Sequence, residues 1–166
     1  MTQTIEAALS ELKPVLSQMA PLGEPPLAGV WIYPDEYELL SLDTLPVVLI
    51  SEAINVRVVV AREAQRRTLM HKWEAQVQIM LAEGKLTDDR SVAAVAQHHR
   101  KWIAELVRVI VSNSTLNNKV VGLGVKIPGE VLTYQVGQIP WWNSRTFWGI
   151  SAIVDVYQMM RFETKA

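Results

Sequence analysis

Apolar residues recur along this chain at two spacings, and the spacing divides it into elements. Ile5, Leu9, Leu12, Leu16 and Met19 follow alternating four- and three-residue steps, which places them on one face of a helix over 4–19 with Thr4 as its N-cap. Pro14 falls inside that helix; it lacks the N–H that would bond to residue 10 and predicts a kink or an early break. The clearer helix comes later. Val92, Val95, His99, Trp102, Ile103, Leu106 and Ile110 recur at three- and four-residue steps, with Gln97, Arg100, Lys101, Glu105 and Arg108 mostly on other sides. Asp88 and Asp89 supply capping and favourable charge at its start, and "SNSTLNN" ends it. A span of about 89–112 predicts a rod of roughly 35 Å.

Elsewhere the period drops to two or the apolar run is continuous. "LPVVLISEA" (45–53) is a short apolar strand led by a proline, the tolerated place for that residue. "INVRVVVAR" (54–62) is a second β-branched run with Val56, Val58 and Val60 on one buried face. "WEAQVQIML" (73–81) sets Trp73, Ala75, Val77, Ile79 and Leu81 against Glu74, Gln76 and Gln78, as a half-buried antiparallel strand does. "KVVGLGVKI" (119–127), "EVLTYQV" (130–136) and "TFWGISAIVDVYQMM" (146–160) read as three more strands, with turns at Pro128-Gly129 and through 137–145. A proline-rich connection spans 21–34, and "EAQRRTLMH" (63–71) has no clean period and reads as a polar basic loop.

The order is helix, three strands, long helix, three strands. Each helix has one apolar stripe to cover, so the expected fold is α+β: a two-layer sandwich with an antiparallel or mixed sheet of about six strands and two helices packed on one face, the other face free. With 166 residues, 49% of them hydrophobic, and no internal repeat, the chain is expected to form a single domain over 1–166.

Composition narrows the chemistry. No cysteine is present, which excludes disulfides, thiolate metal ligands and a cysteine nucleophile. Glu52, Asn55 and Arg57 break the longest apolar stretch, short of the roughly 20 residues that span a bilayer, and the first twenty residues lack the pattern of a signal peptide; a soluble chain with no membrane partner is expected. The net charge of −1 conceals an asymmetry. Residues 1–56 carry eight acids against Lys13 alone, whereas 57–72 hold Arg57, Arg62, Arg66, Arg67 and Lys72 against Glu63. Such a division suits nucleic acid, an acidic partner, or one copy's acidic face meeting the next copy's basic face.

The candidate motifs each compete with a plainer reading. Gly122, Gly124 and Gly129 lie within and after a strand, out of register with a dinucleotide fingerprint, so bulges or turns explain them and no cofactor is expected. His98 and His99 are adjacent on a helix and point about 100° apart; they cannot share a metal as an i, i+4 pair would, and no metal site is expected. Asp35, Glu36 and Glu38 form an acidic group that could hold a cation, act as an acid–base pair, or be a solvated or partner-facing loop. Arg62, Arg66 and Arg67 suit phosphates, an acidic neighbour, or solvent. Trp148 belongs to the buried alternation Trp148, Ile150, Ala152, Val154, Val156. Trp141 and Trp142 follow Pro140 in a connection where their side chains must diverge, which marks them as interface anchors, self-packed side chains or a ligand wall. No catalytic residue is assigned.

The proline-led strand "LPVVLISEA", the runs "INVRVVVAR" and "WEAQVQIML" around a basic loop, the helix "AVAQHHRKWIAELVRVIV" and the closing strand "FWGISAIVDVYQM" together resemble, across nearly the whole chain, the tail terminator proteins of long-tailed bacteriophages. The resemblance implies a structural, non-enzymatic virion subunit, assembled in the bacterial cytoplasm, that forms a hexameric ring at the head-proximal end of the tail. Such a ring caps the tail tube, stops its polymerisation and offers a surface to head–neck or connector proteins, with DNA passing only through its lumen. On that footing Arg62, Arg66, Arg67, Asp35, Glu36, Glu38, Trp141 and Trp142 are the assembly-interface candidates. Another neck, connector or tube subunit, or a small-ligand-binding α+β domain, remains the alternative.

Overall fold

Two sixteen-residue strands, β4 (Thr68–Glu83) and β7 (Thr146–Arg161), pair antiparallel along their length from Thr68↔Arg161 to Glu83↔Phe147. The computed structural model describes residues 3–52, 61–62, 68–84, 89–124 and 131–161. Around this central pair the sheet has seven strands among the described residues. On one side β1 (Gly29–Ile32) lies parallel to β2 (Val47–Glu52), which pairs antiparallel with β4. On the far side β5 (Gly122–Leu123) and β6 (Thr133–Pro140) both pair with β7, and β3 (Ala61–Arg62) joins β4 near its start.

Two helices cover one face. In α1 (Ile5–Leu16), the Thr4 hydroxyl caps the first turn by accepting from the Ala7 N–H at 3.1 Å. The helix runs through Pro14 and ends two residues later, short of the expected Met19 and in keeping with the early break that the proline predicts. The missing N–H would have served residue Ser10, which is exposed, so the loss falls in the last turn on the solvent side. The second helix, α2 (Asp89–Ser112), matches its expected span. Three successive left-handed residues, Leu116, Asn117 and Asn118 (φ 44°, 53° and 64°), then turn the chain back. Asparagine tolerates that conformation better than most residues.

Period-two alternation along β4 and β7 supplies the floor beneath these helices. Trp73, Ala75, Val77 and Ile79 face Val156, Val154, Ala152 and Ile150 across the ladder, all buried. They pack in one cluster with Ala8, Leu12 and Leu16 of α1 and Trp102, Leu106 and Ile110 of α2. The α+β class, with both helices on one sheet face, is thus the observed architecture. Among the described residues no helix is long and apolar enough to cross a membrane.

The opposite face is not wholly free. A smaller cluster of Leu42, Val47, Leu49, Met80, Ile139 and Phe147 occupies one end of it, covered in part by the segment before β2. Gly149 stands beside a bulge between Met80 and Ala82; a Cβ there would come within 1.9 Å of the Ile79 carbonyl oxygen.

Several boundaries differ from the sequence reading. The proline-rich connection contains the strand β1: four residues beside Pro34 are too short to show a period. β4 begins at Thr68, so 68–71 is strand rather than loop, because pairing with both β3 and β7 overrides the mixed polarity there. β6 extends to Pro140 rather than ending at 136, with Gly137 tolerated where it faces Gly149. The expected strand 54–62 is described only at Ala61–Arg62; Val56, Val58 and Val60, Arg66 and Arg67 lie outside the described residues. So do Asp88 and Gly129, and of the expected strand 119–127 only Gly122–Leu123 is described.

Candidate assembly surface

The turn after β1 is held from inside. The Glu36 carboxylate accepts from the Ile32 N–H at 2.7 Å and from the Lys13 ammonium at 2.5 Å, fastening the turn to α1. Burial pushes the Glu36 carboxyl up, but the Lys13 hydrogen bond, the Ile32 N–H and the Lys13 charge together hold it below the ordinary value of 4.5. Of the three acids singled out in the sequence, Glu36 is therefore engaged within the fold, while Asp35 and Glu38 are exposed.

Facing this turn is the connection between β6 and β7. The Trp141 N–H donates to the Arg145 carbonyl at 2.8 Å, and Asn143 and Ser144 adopt left-handed φ of 60° and 59°. That tight reversal sends the two tryptophans apart. Trp141 is half-buried and packs against the smaller apolar cluster, and Trp142 is left 62% exposed. The Trp141 ring meets Tyr33 edge-on at 5.4 Å between centroids, and Tyr33 meets Tyr37 in the same manner at 6.4 Å. An aromatic row thus bridges the two connections and ends in Tyr37, which is itself 58% exposed.

Arg145 locks the base of this surface. Its guanidinium donates to both oxygens of Glu83, at 2.9 and 3.0 Å, and sits 5.0 Å over the Phe147 ring. The Arg145 hydrogen bonds hold Glu83 below the ordinary carboxylate value, and Glu83 in turn raises Arg145.

Beside the aromatic row opens a groove of about 650 Å³, bordered by Glu6 of α1, Tyr33, Asp35, Glu52 at the end of β2, Gln76 and Trp141. Glu6, Asp35 and Glu52 are exposed, and none makes an ion pair among the described residues. The structure therefore brings Asp35 and Trp141 to one groove and leaves Glu38 and Trp142 on neighbouring surface. The backbone of Arg62 pairs opposite Leu69, seven residues along β4 from Gln76. At about 3.3 Å per residue the two lie roughly 23 Å apart.

Tyr33, Tyr37, Glu6 and Glu52 were not singled out in the sequence. The i, i+4 spacing of the tyrosines within "YPDEY" was the available signal, obscured because that stretch forms a turn rather than a helix.

The histidines belong elsewhere. His98 Nδ1 lies 2.7 and 2.9 Å from the two oxygens of Glu24, whose side chain is 3% exposed, and Lys101 approaches the same carboxylate at 3.7 Å. This ties the 20–28 connection to α2. His99 lies near Trp148, with ring centroids 6.3 Å apart. Burial and the charge of Arg100 hold His99 below its ordinary value of 6.5, against the Val95 carbonyl, which favours the charged form. Among the described residues no three histidine or carboxylate side chains converge to hold a metal ion.

The fold and this surface define an α+β domain that presents exposed aromatic and acidic side chains around an open groove. No protein-family model matches the chain, and no curated protein matches it in sequence.

Proposed function

We propose that the chain is a structural virion subunit that assembles into a ring, caps a phage tail tube to end its polymerisation, and presents a surface for attachment of the head–neck proteins. The observation that carries this reading is Trp142: a tryptophan held 62% exposed on a hydrogen-bonded turn whose backbone is fixed by Arg145. An ordered, solvent-facing indole is the side chain that most often anchors a protein interface. The resemblance of the strand and helix segments to those of tail terminators supports the same reading. So does the segregation of charge, since a ring needs two different, complementary patches on each copy.

Negative-stain imaging of the concentrated protein, alone and with purified tail tubes, combined with mass measurement, tests the proposal. Rings with an open lumen, seated on tube ends and arresting tube growth, are the expected result. A chain that remains monomeric at every concentration and ignores tube ends overturns it.

A further inference from the structure

We propose that the groove beside the Tyr33–Trp141 pair docks an extended, arginine-bearing segment of a second, different protein. This goes beyond the ring reading, because it concerns what one subunit grips and not how copies join. At about 650 Å³ the groove falls within the size range of ligand sites. Part of its wall is apolar: Leu9 of α1 and the two aromatic rings border it, and the rings meet edge-on with centroids 5.4 Å apart. Glu6, Asp35 and Glu52 also border it, and no basic side chain does so among the described residues. Lys13 of α1 is engaged by Glu36 and not by these acids. A cleft with apolar walls and charge of one sign concentrates cations. Carboxylates beside aromatic rings favour guanidinium over ammonium, since the planar group pairs with the first and stacks on the second.

The placement of the three acids selects an extended chain over a small cation. They stand on separate elements: the first turn of α1, the turn after β1 and the end of β2. Their carboxylates do not converge as a metal site requires, so a ligand that answers all three carries several cations at intervals. An extended segment does this, with side chains of one side about 6.6 Å apart. Gln76 and Gln78 alternate along β4 at that same spacing and border the groove, where their amides are available to the segment's backbone. A second copy offers no such segment among the described side chains. Arg100 and Arg108 lie on the helix α2, the latter paired with Glu105, and Arg145 is held by Glu83.

The test titrates the full chain with a short capped peptide of alternating arginine and serine, with its lysine and glutamate counterparts, and with spermidine. Fluorescence anisotropy reads affinity, and the Trp141 indole N–H resonance locates the contact. The arginine peptide is expected to bind, to shift that resonance, and to lose affinity as salt rises. The lysine peptide and spermidine bind more weakly, and the glutamate peptide does not bind. Glu6→Gln/Asp35→Asn/Glu52→Gln weakens the arginine peptide by more than about tenfold. Glu11→Gln/Asp43→Asn, which removes acids outside this groove, changes its affinity by less than about twofold. Thermal melting confirms that each variant is folded. An unmoved Trp141 resonance, equal weakening by the two sets of substitutions, or spermidine matching the arginine peptide overturns the inference. So does a loss of self-association by the groove variant in sedimentation velocity, which places a second copy in the groove. Ring formation is read separately by imaging, so an empty groove leaves the ring reading standing and a chain without rings leaves the groove to its own titration.

Discussion

Gln158 is the one buried polar side chain among the described core residues, 0% exposed, and replacing it with leucine tests whether its network holds three parts of the fold together. Its Oε1 accepts from Trp73 Nε1 at 2.8 Å, and its Nε2 donates to the Thr4 carbonyl at 2.8 Å and the Lys119 carbonyl at 3.0 Å. The start of α1, the centre of β4 and the turn after α2 thus meet at one amide. In Gln158→Leu the volume is nearly kept, so the cavity contribution is small and the cost is that of groups left unpaired. Trp73 is fully buried and its orphaned indole N–H carries about 1–3 kcal/mol. The Thr4 carbonyl keeps the Ala8 N–H at 3.1 Å and Lys119 is exposed, so the two carbonyls add less. The expected destabilisation is about 2–4 kcal/mol, or roughly 5–15 °C in melting temperature for a chain of this size. Urea unfolding with an unchanged slope measures it. Adding Trp73→Phe to Gln158→Leu removes the orphaned donor, so the pair is expected to cost at least about 1 kcal/mol less than the sum of the single changes. A Gln158→Leu chain within about 0.5 kcal/mol of wild type refutes the reasoning.

Trp142→Ala is expected to weaken assembly on tube ends strongly while costing less than about 1.5 kcal/mol of stability, whereas Trp148→Ala, at a site only 5% exposed, costs about 3–5 kcal/mol; equal stability losses would place Trp142 in the core. Gly149→Ala forces a Cβ to 1.9 Å from the Ile79 oxygen and is expected to cost at least about 3 kcal/mol by thermal melting. Gly137→Ala, opposite it and facing open space, is expected to change stability by less than about 1 kcal/mol. For His99 the folded value lies below 6.5, so the unfolded chain takes up the proton first. Its contribution is complete above pH 6.5 and drains away as the pH falls toward the folded value. Denaturation curves across that interval should converge for wild type and His99→Gln, with the loss on acidification smaller in the variant.

Long, strictly periodic segments are legible in the order of residues alone. The α2 stripe and the alternation from Trp148 to Val156 each bury one face against a large partner, so the pattern survives in the residue types. What escaped was short or set by tertiary pairing. β1 consists of four residues, too few to establish a period, and it exists because β2 offers it an edge. The strand character of 68–71 comes from long-range pairing, which no local propensity records. At the candidate surface, the divergence of Trp141 and Trp142 followed from their adjacency. The role of Glu36 as an internal tie and the assembly of Glu6, Asp35 and Glu52 around one groove required the fold, since 46 residues separate the first from the last.

The long β4–β7 pair has a mechanical corollary. Its strands run antiparallel over roughly 50 Å, joined rung by rung from Thr68 to Glu83 except at the bulge. Traction between opposite tips of such a pair, one strand held at each end, loads the rungs collectively in shear instead of opening them one at a time. A domain built around this pair resists extension between its two tips while its helices, fastened to one side, carry little of the load.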